Sequence, residues 1–321
     1  MKNLYLITVI FLLSSCQTLS SIQETLGFVE EDPNAPVKLD ENYESFLDIS
    51  WQKKIEKPLL DLSFFGENIE SNIFFDINAG TIYNLNEKQL ELIDADTGQL
   101  SEVFELETDR IISGVSVGYN SFFYVDADGI VYAHDANSGD LKWKKELEDI
   151  VLSKILITST QAFLQTSSDV LYGMDLQTGE TKWQKQAQAP LLSIRGTASP
   201  IIYEGLIFTS FSNGRLAAVR AVDGIQLWEK PISRLKGSTE LEKLMDGDSN
   251  AITINEEVFV ANYNGSLTRF NIRSGDKVFS VDHSTSKPIL FNKGKILSIN
   301  TDEEIIGFNA TNGTETWRSQ K

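Results

Sequence analysis

One cysteine, Cys16, and two histidines, His134 and His283, stand in 321 residues. An internal disulfide is thereby excluded, and the histidines are too few for a zinc site of the usual ligand sets. Long apolar runs are as scarce. The one at Leu4 to Leu13 falls short of the roughly twenty residues that a helix needs to cross a hydrocarbon layer. Basic charge is the third shortage, with 28 Lys and Arg against 46 Asp and Glu and a formal net charge of −18. Affinity for a polyanion comes largely from basic groups that displace counterions. No run of Lys or Arg is dense enough to offset the surrounding acid, so nucleic acid is excluded as a partner and an anionic membrane surface is disfavoured. Solubility is the plain reading of the acidity. No GxSxG nucleophile turn and no cluster of acidic metal ligands occurs either, which leaves no candidate catalytic residue, metal or cofactor.

What is present begins with an export signal. Lys2 precedes the apolar run, and Leu13, Ser14 and Ser15 lead into Cys16. LSSC resembles a bacterial lipobox, which implies cleavage after residue 15 and acylation, palmitate included, at Cys16. Loss of Lys2 with the signal takes the net charge to −19. Several acyl chains anchor firmly where one is marginal, at about 0.8 kcal/mol per buried methylene. Gln17 resembles the pattern of lipoproteins sent to the outer membrane and held there on its periplasmic face. From residue 16 to about 45 the chain is rich in Ser, Glu, Asp, Asn and Pro, with Pro33 and Pro36 in an acidic stretch, and reads as a flexible tether. The expected domains are therefore a signal at 1–15, a lipidated tether at 16–45 and a folded domain at 46–321.

That domain repeats itself. LELIDADTG, VYAHDANSG, LYGMDLQTG, LAAVRAVDG, LTRFNIRSG and IIGFNATNG end at Gly98, Gly139, Gly179, Gly224, Gly275 and Gly313. Four residues after the last five glycines stand Trp143, Trp183, Trp228, Phe279 and Trp317, whereas the first copy has Glu102 there. Each copy reads as an alternating strand, a tight turn closed by a glycine of positive φ, and a strand carrying the aromatic. Two more alternating runs precede each copy, as in ISGVSVG and SFFYVDAD of the second. Four antiparallel strands in about forty residues make a β-propeller blade, and no helical period is sustained. An aromatic recurring once per unit at one place is expected to pack between blades. Asp135, Asp175, Asn271 and Asn309 are expected to cap turns, not to bind metal.

Successive glycines are 41, 40, 45, 51 and 38 residues apart. The two long intervals place extra residues after Trp183 and after Trp228, where the fourth strand of one blade crosses to the first strand of the next. Such crossings emerge on one face, so the two long loops are expected to be neighbours, and long loops on a rigid scaffold are where binding usually sits. The first reads APLLSIRGTASP and the second ISRLKGSTELEKLMDGDSN. Leu191, Leu192 and Ile194 beside Arg195 make one candidate apolar anchor, with Asp246 and Asp248 as nearby acceptors. The alternative is that the leucines tuck inward and Arg195 merely pairs with an aspartate.

These two stretches resemble the signature loops of the BamB family, propeller lipoproteins of the outer-membrane β-barrel assembly machine. Gly237 to Asp248, GSTELEKLMDGD, follows the family's pattern of GSTE, aliphatic, acidic, basic, Leu, any, Asp, any, Asp, and LLSIRG followed by Pro200 follows the other loop. The blade motifs resemble the wider quinoprotein-like propeller repeat over nearly the whole mature chain. Ile194, Lys243 and Gly247 depart conservatively from the family's usual residues. The resemblance implies a non-catalytic scaffold that binds BamA through Leu192, Ile194, Arg195, Asp246 and Asp248, and that helps unfolded outer-membrane proteins reach the assembly site as a monomer within a hetero-complex. It also implies eight blades where six repeats are countable. Trp51 begins an additional strand, so either six blades carry an extra edge strand or a degenerate seventh exists. A different envelope partner and a quinone-dependent dehydrogenase are the other functions weighed; the latter would need a cation site and commonly paired cysteines, which the sequence lacks.

Overall fold

The computed structural model describes residues 50–52, 75–86, 88–188, 198–233 and 249–319. Cys16, the signal and the tether lie outside that set. Within it every regular element is a strand. Twenty-four strands form six four-stranded antiparallel sheets in unbroken chain order, at residues 75–105, 116–146, 156–186, 201–231, 252–282 and 290–318. These are the blades of a β-propeller, and they match the six repeats one for one.

The second strand of the second blade shows why the sequence folds this way. SFFYV, Ser121–Val125, is buried along its length. Phe122 and Tyr124 join a core shared with the first blade, while Phe123 and Val125 join one shared with the third. Side chains alternate across a strand, so an apolar run with both faces covered needs a sheet on either side. Five such cores join successive blades from first to sixth. Each fully buried aromatic contributes a few kcal/mol of transfer free energy, of order 25 cal/mol per Å².

The turn between third and fourth strands locks each blade to the one before it. Gly98, Gly139, Gly179, Gly224, Gly275 and Gly313 all have φ near +70°, from 68° to 75°. Two demands make glycine obligatory there: the left-handed backbone, and an aromatic ring pressed on its Cα. A Cβ on Gly179 would lie 2.5 Å from the Trp143 ring, and one on Gly224 2.6 Å from Trp183. The indole N–H completes the lock by donating to the carbonyl three residues before the glycine, Trp143 to Leu176 at 3.0 Å, Trp183 to Ala221 at 2.9 Å and Trp228 to Ile272 at 2.8 Å. Trp143, Trp183, Trp228 and Phe279 are thus inter-blade packing elements, whereas Trp317, expected to be one, lies on Gly307 of its own blade because no described sheet follows the sixth. In the first blade the register position of these residues holds the exposed Glu102, and Phe104, two residues further along the same face, covers Gly139 instead.

Trp51 sits on Gly98 and donates to Ala95 O at 2.9 Å. It fills, ahead of the first blade, the place that Trp143, Trp183 and Trp228 each fill from the preceding blade's fourth strand. Residues 53–55 lie outside the described set. The expected caps are present. Asp135 Oδ1 accepts from the N–H groups of Asn137 and Ser138, Asp175 from Gln177 and Thr178, Asn271 from Arg273 and Ser274, and Asn309 from Thr311. A hydrogen bond from Lys182, joined by those from the turn, holds the Asp175 carboxyl down at about 2. Both histidines are core residues. His134 stacks on Phe122 with centroids 4.7 Å apart and reaches Gly139 O at 2.9 Å; His283 meets Ser298 Oγ at 2.7 Å.

Candidate functional site: the face of the long crossings

Antiparallel order fixes which loops share a face. In every blade the turn between second and third strands emerges on the same side as the crossing to the next blade. The long crossings run from Gln186 to Ile201 and from Pro231 to Ile252. Leu192, Ile194, Arg195, Asp246 and Asp248 lie on them, outside the described residues. The roots of both crossings are described.

The outgoing roots are held by the second-to-third turn of the following blade. Asn213 Nδ2 donates to Gln188 O at 3.1 Å, and Ser233 Oγ donates to Asn262 Oδ1 at 2.6 Å. Asn262 Oδ1 also accepts from Ser266 N at 3.1 Å, so one side chain shapes its own turn and receives the crossing. Thr268 Oγ1 and Lys277 Nζ both donate to Ile232 O, at 2.8 and 3.0 Å. The returning roots are joined to each other. Ser199 N donates to Asn250 Oδ1 at 2.7 Å, and Lys154 N donates to Ser199 Oγ at 3.0 Å. Lys154 Nζ then reaches Asp76 Oδ1 at 3.3 Å and Phe75 O at 3.0 Å on the first blade, where Asp76 Oδ2 accepts from Val117 N at 2.9 Å. A belt of polar contacts therefore runs through the first five blades. The last residues of both long crossings are adjacent in it, as crossings that share a face require.

The same face holds a buried acid. Asp169, in a second-to-third turn of the third blade, accepts from Ser212 N at 3.0 Å, from Ser212 Oγ, and from Gln165 Nε2 at 3.4 Å. Burial raises its pKa above the usual carboxylate value, with the serine and glutamine contacts opposing. Its partners lie on the third and fourth blades, so it seals the junction that the first long crossing spans. Among the described residues no group of three or more His, Cys, Asp or Glu side chains is placed to hold a metal ion. Sequence reading located the crossings but passed over Ser199 and Asn250. The available signal was that Lys154, Ser199 and Asn250 each stand two residues before a first strand, where polar side chains recur.

Fold and face together define a quinoprotein-like β-propeller whose irregular features gather on one side. A family model described as "Outer membrane protein assembly factor BamB" matches residues 86–319, and the chain belongs to that family. A relative of that name from Yersinia pestis is 27% identical over 238 residues, 71% of this chain and 61% of its own length. Its namesake from Escherichia coli K12 is 31% identical over 214 residues, 67% of this chain and 55% of its own length. The chain thus spans about three-fifths of the curated relatives it matches. Among solved structures, BamB from Moraxella catarrhalis shares the fold with a TM-score of 0.72 at 22% identity, over 79% of this chain and 77% of that one. A quinohemoprotein alcohol dehydrogenase from Comamonas testosteroni shares it more loosely, with a TM-score of 0.52 at 14% identity over 65% of this chain and 43% of that one.

Proposed function

We propose that this chain is a non-catalytic docking scaffold for assembly of outer-membrane β-barrel proteins, binding BamA through its two long crossings. The observation that carries the reading is the direct hydrogen bond between their returning roots, Ser199 to Asn250 at 2.7 Å, in a chain of the BamB family. Two crossings rooted together can present one composite surface: an apolar centre from Leu192 and Ile194, with charge-assisted contacts from Arg195, Asp246 and Asp248 around it. Acylation at Cys16 would hold the propeller, residues 46–321, at the periplasmic side of the outer membrane on a tether of about thirty residues, where unfolded barrel proteins arrive.

A quinone-dependent oxidation is the reading that the likeness to an alcohol dehydrogenase raises. It requires a carboxylate-rich cation site beside the quinone, and the donor side chains among the described residues do not fit that group. The docking reading is tested by Arg195→Glu, which reverses a charge on the first long crossing. Co-purification with BamA from membranes is expected to fall at least tenfold, with the thermal transition of the variant unchanged. Co-purification at the parental level would remove the assignment of this face.

A further inference from the structure

The hairpin between third and fourth strands of the fourth blade departs from its five counterparts. Its backbone is the same: Gly224 N donates to Arg220 O at 2.9 Å and Arg220 N to Ile225 O at 2.8 Å, as Gly179 N does to Asp175 O and Asp175 N to Glu180 O in the third blade. Its side chains are not. Where the fourth blade has Val222, the others have Asp96, Asn137, Gln177, Arg273 and Thr311; where it has Ile225, they have Gln99, Asp140, Glu180, Asp276 and Thr314. Leu227 stands where Lys142 and Lys182 pair with the capping Asp135 and Asp175. Here the capping place holds Arg220, whose Nε donates to Asp223 Oδ1 at 2.9 Å, and that oxygen also accepts from Ile225 N at 3.2 Å. The turn thus closes without the three apolar side chains. They are 66%, 51% and 49% exposed.

Single exposed apolar residues are ordinary on a protein surface, but three within one hairpin, at places the other blades keep polar, make a patch that folding does not use. The next blade extends it. Trp228, beside Leu227, lies on Gly275, and three residues further on stands the exposed Val278. Charge around the patch is mostly of one sign. Glu180 and Asp276 hold the place of Ile225 in the flanking blades, and Glu204 and Glu256 stand on first-to-second turns of the fourth and fifth blades, which emerge on the same side. Arg273 faces the last two, at 3.8 and 3.1 Å, while Arg220 and Asp223 neutralise each other. We propose that this hairpin is a second docking surface, on the side of the propeller opposite the long crossings, for a protein that offers an apolar hollow bordered by Lys and Arg. A protruding apolar tip needs a hollow, and a border of carboxylates needs cations. A second copy of this chain would set like charges against each other, and an anionic lipid surface would meet the same repulsion.

The test uses the full-length chain in cells, with photoreactive benzoylphenylalanine in place of Val222 and the cross-linked segment of each product identified by mass spectrometry. The expected product is a protein whose cross-linked segment is apolar and bordered by Lys or Arg. That protein, purified, is then titrated against the parent and a double variant. Val222→Gln with Ile225→Glu gives the fourth blade the third blade's residues on the same backbone, so the thermal transition should stay and affinity should fall at least about tenfold. Raising salt from about 0.1 to about 0.5 M should weaken the parental complex severalfold, as an acidic border facing a basic one requires. If the double variant does not fold, Leu227→Lys, which restores the lysine of the second and third blades, takes its place. Cross-links confined to lipid, to a second copy of this chain or to an acidic segment overturn the proposal. So does the lack of any cross-link, or parental affinity in the variant. Arg195→Glu, on the first long crossing, is expected to leave this contact at parental strength, so the two surfaces stand or fall separately.

Discussion

Trp228 and Trp317 stand at the same register position, opposite Ala218 and Gly307, yet one is 7% exposed and the other 39%. The contrast extends over the whole outward face of their blades. Leu216 of the fourth blade is fully buried, whereas its equivalent in the sixth, Ile305, is 42% exposed. Ile299 and Leu290 are exposed on the same face. The sixth blade has been given the apolar residues of an inter-blade junction, tryptophan included, and among the described residues no sheet is packed on them. A repeat thus encodes half of each junction. The neighbour decides whether that half is buried, and an alternating strand pattern carries no information about the neighbour.

Truncating the two tryptophans is the strongest way to break that comparison. Trp228→Ala removes a ring packed on Phe208, Phe270 and the Cα of Gly275, together with its bond to Ile272 O. The expected loss is about 3–5 kcal/mol, as for other buried large-to-small changes. Trp317→Ala removes a ring that, among the described residues, covers only its own blade, and about 1 kcal/mol is expected. Urea unfolding followed by fluorescence measures both. Equal losses would mean that the outward face of the sixth blade is covered in solution.

The inward face of that same blade is sealed, and His283 reports on it. Its ring lies edge-on to Phe308 at 5.0 Å and bonds Ser298 at 2.7 Å. Burial, with Arg318 adding to it, lowers its pKa from 6.5 to about 4. A folded-state pKa below the unfolded one means that the unfolded chain takes up the proton first, so stability is full above about pH 6.5 and declines as pH falls toward 4. The shift corresponds to roughly 3 kcal/mol at 1.36 kcal/mol per unit. Carboxylates titrate in the same window, so the check is a difference: the loss between pH 7.5 and pH 4 should be smaller in His283→Gln than in the parent. Identical losses would show that the fifth and sixth blades do not enclose this ring.

Much of the architecture was legible because it repeats. Blade boundaries, the positive-φ glycines and the Asp or Asn caps follow from one turn written six times, and each appears where the spacing put it. The first blade's aromatic was not legible from the spacing, because Phe104 acts two residues beyond the fixed offset; a side chain on the same strand face can serve the same neighbour, and counting offsets is blind to that. The candidate face was legible as two surplus crossings on one side, since antiparallel order dictates the side. The bond joining their returning roots was not. Ser199 and Asn250 are ordinary polar residues at loop ends, and what couples them is a backbone N–H meeting a side chain 51 residues away, a contact that no local pattern encodes.

The smallest expected effect bears on which aromatic closes the first blade. Trp51, not Trp317, covers Gly98, and its indole donates to Ala95 O at 2.9 Å. Phenylalanine is tolerated at this kind of place. Phe279 covers Gly313, and there Arg269 Nη1 supplies the missing donor to Ala310 O at 3.0 Å, the carbonyl three residues before the glycine. Trp51→Phe should therefore keep the ring and lose only the hydrogen bond, at about 1 kcal/mol. Trp317→Phe should cost nothing measurable, because among the described residues no carbonyl accepts from the Trp317 indole. Paired denaturant titrations of the two variants separate the cases. If Trp317→Phe costs as much as Trp51→Phe, the last blade's tryptophan is engaged in solution, and the contrast between inner and terminal blades does not hold there.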